Sequence, residues 1–262
     1  MFRAIIDLVK ARASTGENKS RSSKAATSAP SSKGRQSKKA LRSPQPQRIF
    51  LLSPANAAGL RGNLIVSGGA KSPLAQRLRE TGVTLGEIFT FISGLYFRGK
   101  LTYAKAFVQP PAGLAGVYVI TACGGLIPAD TLLNADQLRE ISCVPIDAAN
   151  PRYRVPLERD ARFLCGLIGK KCEVVLLGSI ATPKYVEPLL GIFGERLLFP
   201  SEFIGRGDMS RGGLMLRCAR EGVQLTYVPV ATAVRHGAKP PKLPKLPRSF
   251  YLQAKNGAFA AE

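Results

Sequence analysis

The chain has one histidine, His236, at the edge of a Pro/Lys-rich C-terminal tail. A Ser-His-Asp arrangement with a partner His in the body of the chain, or a metal site of several histidines, is therefore excluded. Acids are also scarce: 17 Asp and Glu stand against 38 Lys and Arg, for a formal net charge of +21. There is no CxxC pair, and the five cysteines (Cys123, Cys143, Cys165, Cys172 and Cys218) make an odd count. That usage argues against a disulfide scaffold or a zinc site. It fits core thiols in a reducing compartment, and a cytoplasmic location is expected. No apolar run approaches the roughly 20 residues of a membrane span, so no transmembrane segment is expected. The opening MFRAIIDLVKARAS is not a signal peptide, because Asp7 and Lys10 interrupt any apolar stretch. An Arg/Ser-rich, acid-poor leader of this kind also resembles an organellar transit peptide.

What the sequence does contain is a core and two basic ends. Of 262 residues, 45% are hydrophobic, enough for one sizeable domain. Residues 1–48 hold twelve Lys/Arg against Asp7 and Glu17, about +10, and residues 235–262 hold six against Glu262, about +5. Most of the excess charge thus lies in the ends. Such ends attract polyanions: nucleic acid, ribosomes or an anionic membrane. A solubilising, non-specific tail has the same composition. Residues 15–48 are rich in Ser, Lys, Arg, Ala, Gln and Pro and have little to bury, so residues 1–48 read as a disordered basic tail. Residues 49–234 read as a single α/β domain, and 235–262 as a Pro/Lys-rich, polyproline-like tail.

Along the domain, residues 49–52 form a short apolar run ended by Ser53-Pro54, as in a buried strand. Residues 64–66 read as a second short strand. Ser72-Pro73 starts a helix as cap and first residue. Residues 84–91 have helical spacing, residues 94–99 break it, and 100–108 resume it until Pro110-Pro111. Residues 116–122, GVYVITA, are β-branched, aromatic and bounded by glycine, hence a strand. Asp130 or Thr131 can cap a short helical piece, and 134–140 another. Residues 142–156 hold three prolines and read as an irregular connection. From 156 onward helices and strands alternate, with EVVLL at 173–177 as a strand covered on both faces. Alternation of that kind predicts a three-layer α/β sandwich with a mainly parallel sheet of four to six strands.

In such a sheet ligands bind beyond the carboxyl ends of the strands. Three glycine-bearing loops fall there: Cys123-Gly124-Gly125; Gly178-Ser179 with Lys184 just after; and residues 201–213, with Ser201, Arg206, Gly207, Asp208, Ser210 and Arg211. Free N–H groups and the positive end of a helix suit an anion or nucleotide in the last of these. Asp208 is a candidate general base, or simply a helix cap. Arg206 and Arg211 flank a helix start, where an anionic ligand would explain two cations. Cys123 is a reactive thiol or a buried one. Tyr96, Arg98 and Lys100 interleave aromatic and basic side chains, a pattern that stacks on bases and meets phosphates, or that packs helices with charged heads in water. No residue pattern specifies a cofactor or a metal site.

The stretch LYFRGKLTYAKAF followed by VYVITACGGLIPADTLL is similar to a bacterial family of unknown function whose members often accompany nucleoside or nucleic-acid modification. The stretch VVLLGSIATPKY, then LLFPSEFIGRGDMSRGGLMLR, resembles the last half of the uracil-DNA glycosylase superfamily. That family places a His before Pro-Ser, where this chain has Phe199 before Pro200-Ser201, and its Gly-Gln-Asp-Pro-Tyr-type first loop has no counterpart here. The resemblance implies a related fold and a nucleobase-sized pocket rather than glycosylase chemistry. The functional expectation is a nucleotide-, nucleobase- or nucleic-acid-binding α/β protein. If it is an enzyme, the expectation is a hydrolase or transferase acting on a nucleoside or nucleic acid, with Asp208 as base. The competing expectation is a non-catalytic nucleic-acid or ribosome-associated protein that uses its basic tails. A third is a glycosyl- or phosphoryl-transferring enzyme for which the tails are irrelevant.

Overall fold

The computed structural model describes residues 46–244 except Gly68 and Ala70. The expectations for residues 1–45 and for the tail beyond Pro244 lie outside the described residues.

Strand β1 (Arg48–Leu52) begins one residue earlier than the domain boundary set from composition, and Ile49 to Leu52 are fully buried. Burying each such side chain contributes about 2 kcal/mol. Helix α1 (Leu60–Val66) follows. Here the expected second strand is corrected: Leu60 and Leu64 point outward while Ile65 is buried, a helical rather than alternating pattern. Helix α2 (Pro73–Glu80) starts as expected, with the Ser72 hydroxyl accepting from the Ala75 N–H at 3.2 Å. After β2 (Val83–Thr84), Thr84 caps α3 (Leu85–Ser93). The break expected over residues 94–99 is a single residue. Gly94 takes φ +61, and α4 (Leu95–Phe107) begins at once.

Strand β3 (Val117–Ile120) turns into β4 (Leu126–Pro128), and β5 (Leu132–Leu133) pairs with β2. The helix expected at Asp130 or Thr131 is thus replaced by strand and turn. Asn134 and Gln137 form a reciprocal cap for α5 (Ala135–Ile141). Helix α6 (Pro151–Leu167) starts five residues before the expected point, because Asn150 caps it and Pro151 occupies its first position. Next come β6 (Glu173–Leu177), α7 (Pro183–Phe193), β7 (Leu197–Pro200), α8 (Asp208–Glu221) and β8 (Tyr227–Pro229).

Among the described residues the main sheet has six strands in the order β4-β3-β1-β6-β7-β8. Strands β3, β1, β6 and β7 are parallel, and the edges β4 and β8 are antiparallel. The chain moves outward from β1 to β3 and later returns to β6 on the other side of β1. The strand order therefore reverses between β1 and β6, where doubly wound folds place a ligand crevice. Helix α4 packs closely on α8, and α6 packs on α7. The first contact is made by glycines: a Cβ on Gly99 would lie 2.6 Å from the Gly212 carbonyl oxygen, and one on Gly212 would lie 2.8 Å from that of Leu95.

The C-terminal segment folds back beside α8. Arg206 Nη1 donates to the Pro241 carbonyl at 3.3 Å, and Arg217 donates to that of Pro244. Gly205, at φ +70, leaves room for the Ala238 carbonyl, which any side chain there would strike. Residues 237–244 are therefore a strap along the 205–217 segment.

Candidate functional site

Because β3, β1, β6 and β7 are parallel, the segments after them leave from one rim of the sheet. Past β1, Ser53 still donates its N–H to Leu177 O at 3.1 Å, and the chain then runs through Pro54, Ala55 and Asn56. Gly178 follows β6 and lies against Ser53, whose Cβ would sit 3.0 Å from a Cβ on that glycine. Glycine there lets the two strand ends close up.

A cleft of about 460 Å³ opens on this rim. Residues 54–58 form one side, Ala122 and residues 141–146 another, and Phe89, Lys184 and Tyr185 complete it. Its size is that of a small-molecule site. Asn56 is exposed, and its side-chain amide offers both a donor and acceptors. Tyr185 is buried, and burial pushes its hydroxyl pKa up, so the phenol stays protonated. Lys184 lies 5.2 Å from the centre of the Tyr185 ring.

Behind the rim is a polar cluster shared by α4, α8 and β1. Lys100 is 1% exposed. Its ammonium donates to the Ser53 carbonyl at 2.5 Å and to the Ser53 hydroxyl at 2.8 Å, and it lies over the Tyr96 and Phe97 rings at 4.4 and 4.8 Å. Among the described residues no carboxylate forms an ion pair with it. Burial lowers its pKa to about 7. The negative charge of Asp208 opposes that shift, and the positive charge of Arg211 adds to it. Near neutral pH the amine can therefore give or take a proton at the Ser53 hydroxyl. The Tyr96 hydroxyl is buried without a close hydrogen bond, with Arg211 and Ser53 as its polar neighbours, and burial raises its pKa against their opposing effect.

The sequence-predicted residues separate into groups. Lys184 lines the cleft, with Gly178 beneath the rim beside it. The Ser179 hydroxyl accepts from the Ala181 N–H at 3.3 Å, a turn contact. Gly124 is buried, and its N–H donates to the Thr121 hydroxyl at 3.0 Å. Cys123 stands in the wall behind Cys143, which faces the cleft. Ser201 turns towards Glu202 at 3.3 Å and does not line the cleft. Asp208 is exposed in the first turn of α8 and is not its cap, since Gly207 holds that position. Arg206 and Ser210 bond each other at 3.3 Å, and both line a second hollow of about 340 Å³ beneath the strap. Arg211 donates twice to the Phe203 carbonyl, at 3.2 and 3.0 Å. The two arginines thus have protein partners, neither the anionic ligand nor the purely solvent-facing charge that the sequence allows. Of the three residues expected either to meet a nucleic acid or to pack helices, Tyr96 and Lys100 are buried and Arg98 is half-buried.

Sequence reasoning passed over Ser53, Asn56, Cys143 and Tyr185. Ser53-Pro54 marked a strand end, which was the one available signal. Comparison with protein families, with curated proteins and with solved structures finds no match to this chain.

Proposed function

We propose that the protein binds a nucleobase-bearing small molecule, a nucleoside or nucleotide, in the cleft at the carboxyl ends of β1, β3 and β6. The observation that carries this reading is one cleft that brings together Asn56, Phe89, Lys184 and Tyr185 at the point where the strand order reverses. Asn56 can pair with the polar edge of a base, the buried rings of Phe89 and Tyr185 back the cleft with apolar edges, and Lys184 offers a charge to a phosphate. The resemblance to the uracil-DNA glycosylase superfamily points to the same ligand class. If the protein turns its ligand over, Lys100 and Ser53 are the proton-handling pair, and Asp208 acts through its charge.

Calorimetry with a panel of nucleosides and their monophosphates tests the reading. At least one should bind, and Asn56→Ala should weaken it about tenfold, the worth of one well-made polar contact. Lys184→Ala should weaken the monophosphate and spare the nucleoside. Absence of heat from every member at millimolar concentration would remove the reading.

The distribution of charge supports a second reading, in which the basic ends hold a nucleic acid without sequence preference. The full chain distinguishes the two. Nucleic-acid affinity carried by the ends falls steeply with salt, whereas nucleoside binding in the cleft barely changes.

A further inference from the structure

Cys123 follows β3 and Cys143 follows α5, yet their Sγ atoms lie 2.9 Å apart. The backbone already holds these segments together. The N–H groups of Ala122 and Cys123 both donate to Ile141 O, at 3.2 and 3.3 Å, and the Cys123 thiol donates to Glu140 O at 2.6 Å. Cys143 is exposed and lines the cleft, whereas Cys123 is half-buried behind it. Arg152 donates to the Cys143 sulfur at 3.3 Å. The other thiols are differently placed: Cys172 and Cys218 are buried, and Cys165 is held by Arg196 and Ile192 O.

We propose that Cys123 and Cys143 are a dithiol–disulfide couple that reacts reversibly with low-molecular-weight disulfides of the glutathione class and, when oxidised, fixes the wall of the cleft. Cys143, as its thiolate, attacks one sulfur of the small disulfide. The Cys143–sulfur bond forms, the small S–S bond breaks, and one small thiolate leaves with the electron pair. Cys123 loses its proton to water and attacks the Cys143 sulfur, expelling the second small thiolate. The two protons end on the two small thiols, so the protein pair gives up two electrons and the small disulfide takes them. Cys143 reacts first because it is the accessible sulfur. The Cys123 thiol pKa is pushed up to about 11, chiefly by burial, so it waits protonated until the mixed disulfide is beside it. The new bond ties the segment 141–146, one whole side of the cleft, to the end of β3. The couple stands on thiol geometry alone and is independent of what the cleft binds.

The test uses the full chain equilibrated with mixtures of oxidised and reduced glutathione, then alkylated and mapped by peptide mass. Cys123 and Cys143 are expected to lose alkylation together and to appear in one cross-linked peptide, with Cys165, Cys172 and Cys218 unchanged. The oxidised chain should melt higher by about 5 °C or more, since the bond closes a loop of some twenty residues. Cys123→Ser should trap Cys143 as its glutathione adduct, and Cys143→Ser should leave Cys123 reduced. Position 143 is exposed, so the second variant serves even if the first does not fold. Accumulation of the Cys143 adduct in the unsubstituted chain with Cys123 still free would overturn the proposal. So would cross-links to other cysteines, or oxidation of Cys123 in Cys143→Ser at the same glutathione ratio.

Discussion

Arg48 enters β1 and Ser53 follows it, and a cation is buried at each place. At the entry, the Arg48 guanidinium meets Glu173 at 2.6 Å, donates to Gln224 at 2.5 Å and covers the Tyr227 ring at 4.6 Å. Beside it Tyr103 bonds the Tyr227 hydroxyl at 2.6 Å and accepts from the Leu225 N–H at 2.8 Å. At the exit, Lys100 has only Ser53 oxygens and ring faces, and the Tyr96 hydroxyl has no close hydrogen bond. Tyr96 and Tyr103 are two turns apart on one helix, so the contrast comes from the surroundings and not from residue type. A buried cation with a carboxylate partner maintains the fold. One without is held near its titration point, and that is where chemistry is affordable.

The largest effect should come from breaking the satisfied end. Arg48→Met leaves Glu173 and Gln224 without their donor and should cost about 3 kcal/mol. Glu173 is part-exposed, which keeps the loss at the low end of the range for buried pairs. The midpoint of urea unfolding reads it directly.

The unsatisfied end should show itself through pH. The Lys100 pKa falls from 10.5 to about 7 on folding, so between those values the unfolded chain binds the extra proton. Folding is penalised in full below about pH 7 and is relieved as pH rises towards 10.5. Relative to Lys100→Met, the native chain should gain about 2 kcal/mol between pH 7 and pH 9. Parallel stability curves for the two chains would place the ammonium in a polar, solvated setting.

The tyrosines sharpen the comparison on a smaller scale. Tyr103→Phe strands the buried Leu225 N–H and should cost about 1–2 kcal/mol. Tyr96→Phe removes a hydroxyl without a close hydrogen bond and should shift stability by less than about 0.5 kcal/mol. Equal losses in the two variants would mean that the two ends are alike.

How far the sequence could lead follows from the same residues. Ile49 to Leu52 and EVVLL read correctly as strands because each is apolar throughout, and a mainly parallel α/β sheet followed from helices alternating with them. The short elements misled. Residues 64–66 look like a strand when read alone, and only the outward Leu60 reveals the helix. The rim was legible as a set of glycine-bearing turns. Its contents were not, because Lys100 reaches Ser53 across 47 positions and Cys123 reaches Cys143 across 20. A lysine beside two aromatic residues has the same local pattern whether its head is in water or enclosed, and the enclosure here comes from α8, more than a hundred residues on.

The strap beside α8 bears on where the chain can be shortened. A cut at Val234, where the composition changes, would remove the carbonyls that Arg206 and Arg217 hold and would uncover the hollow beneath residues 239–244. A shortened protein ending there would behave as a damaged fold, and weak binding by it would say nothing about the charges removed. A stop codon placed after Pro244 keeps the clasp and strips three of the last seven basic side chains, counting His236, so that electrostatics and integrity are tested separately.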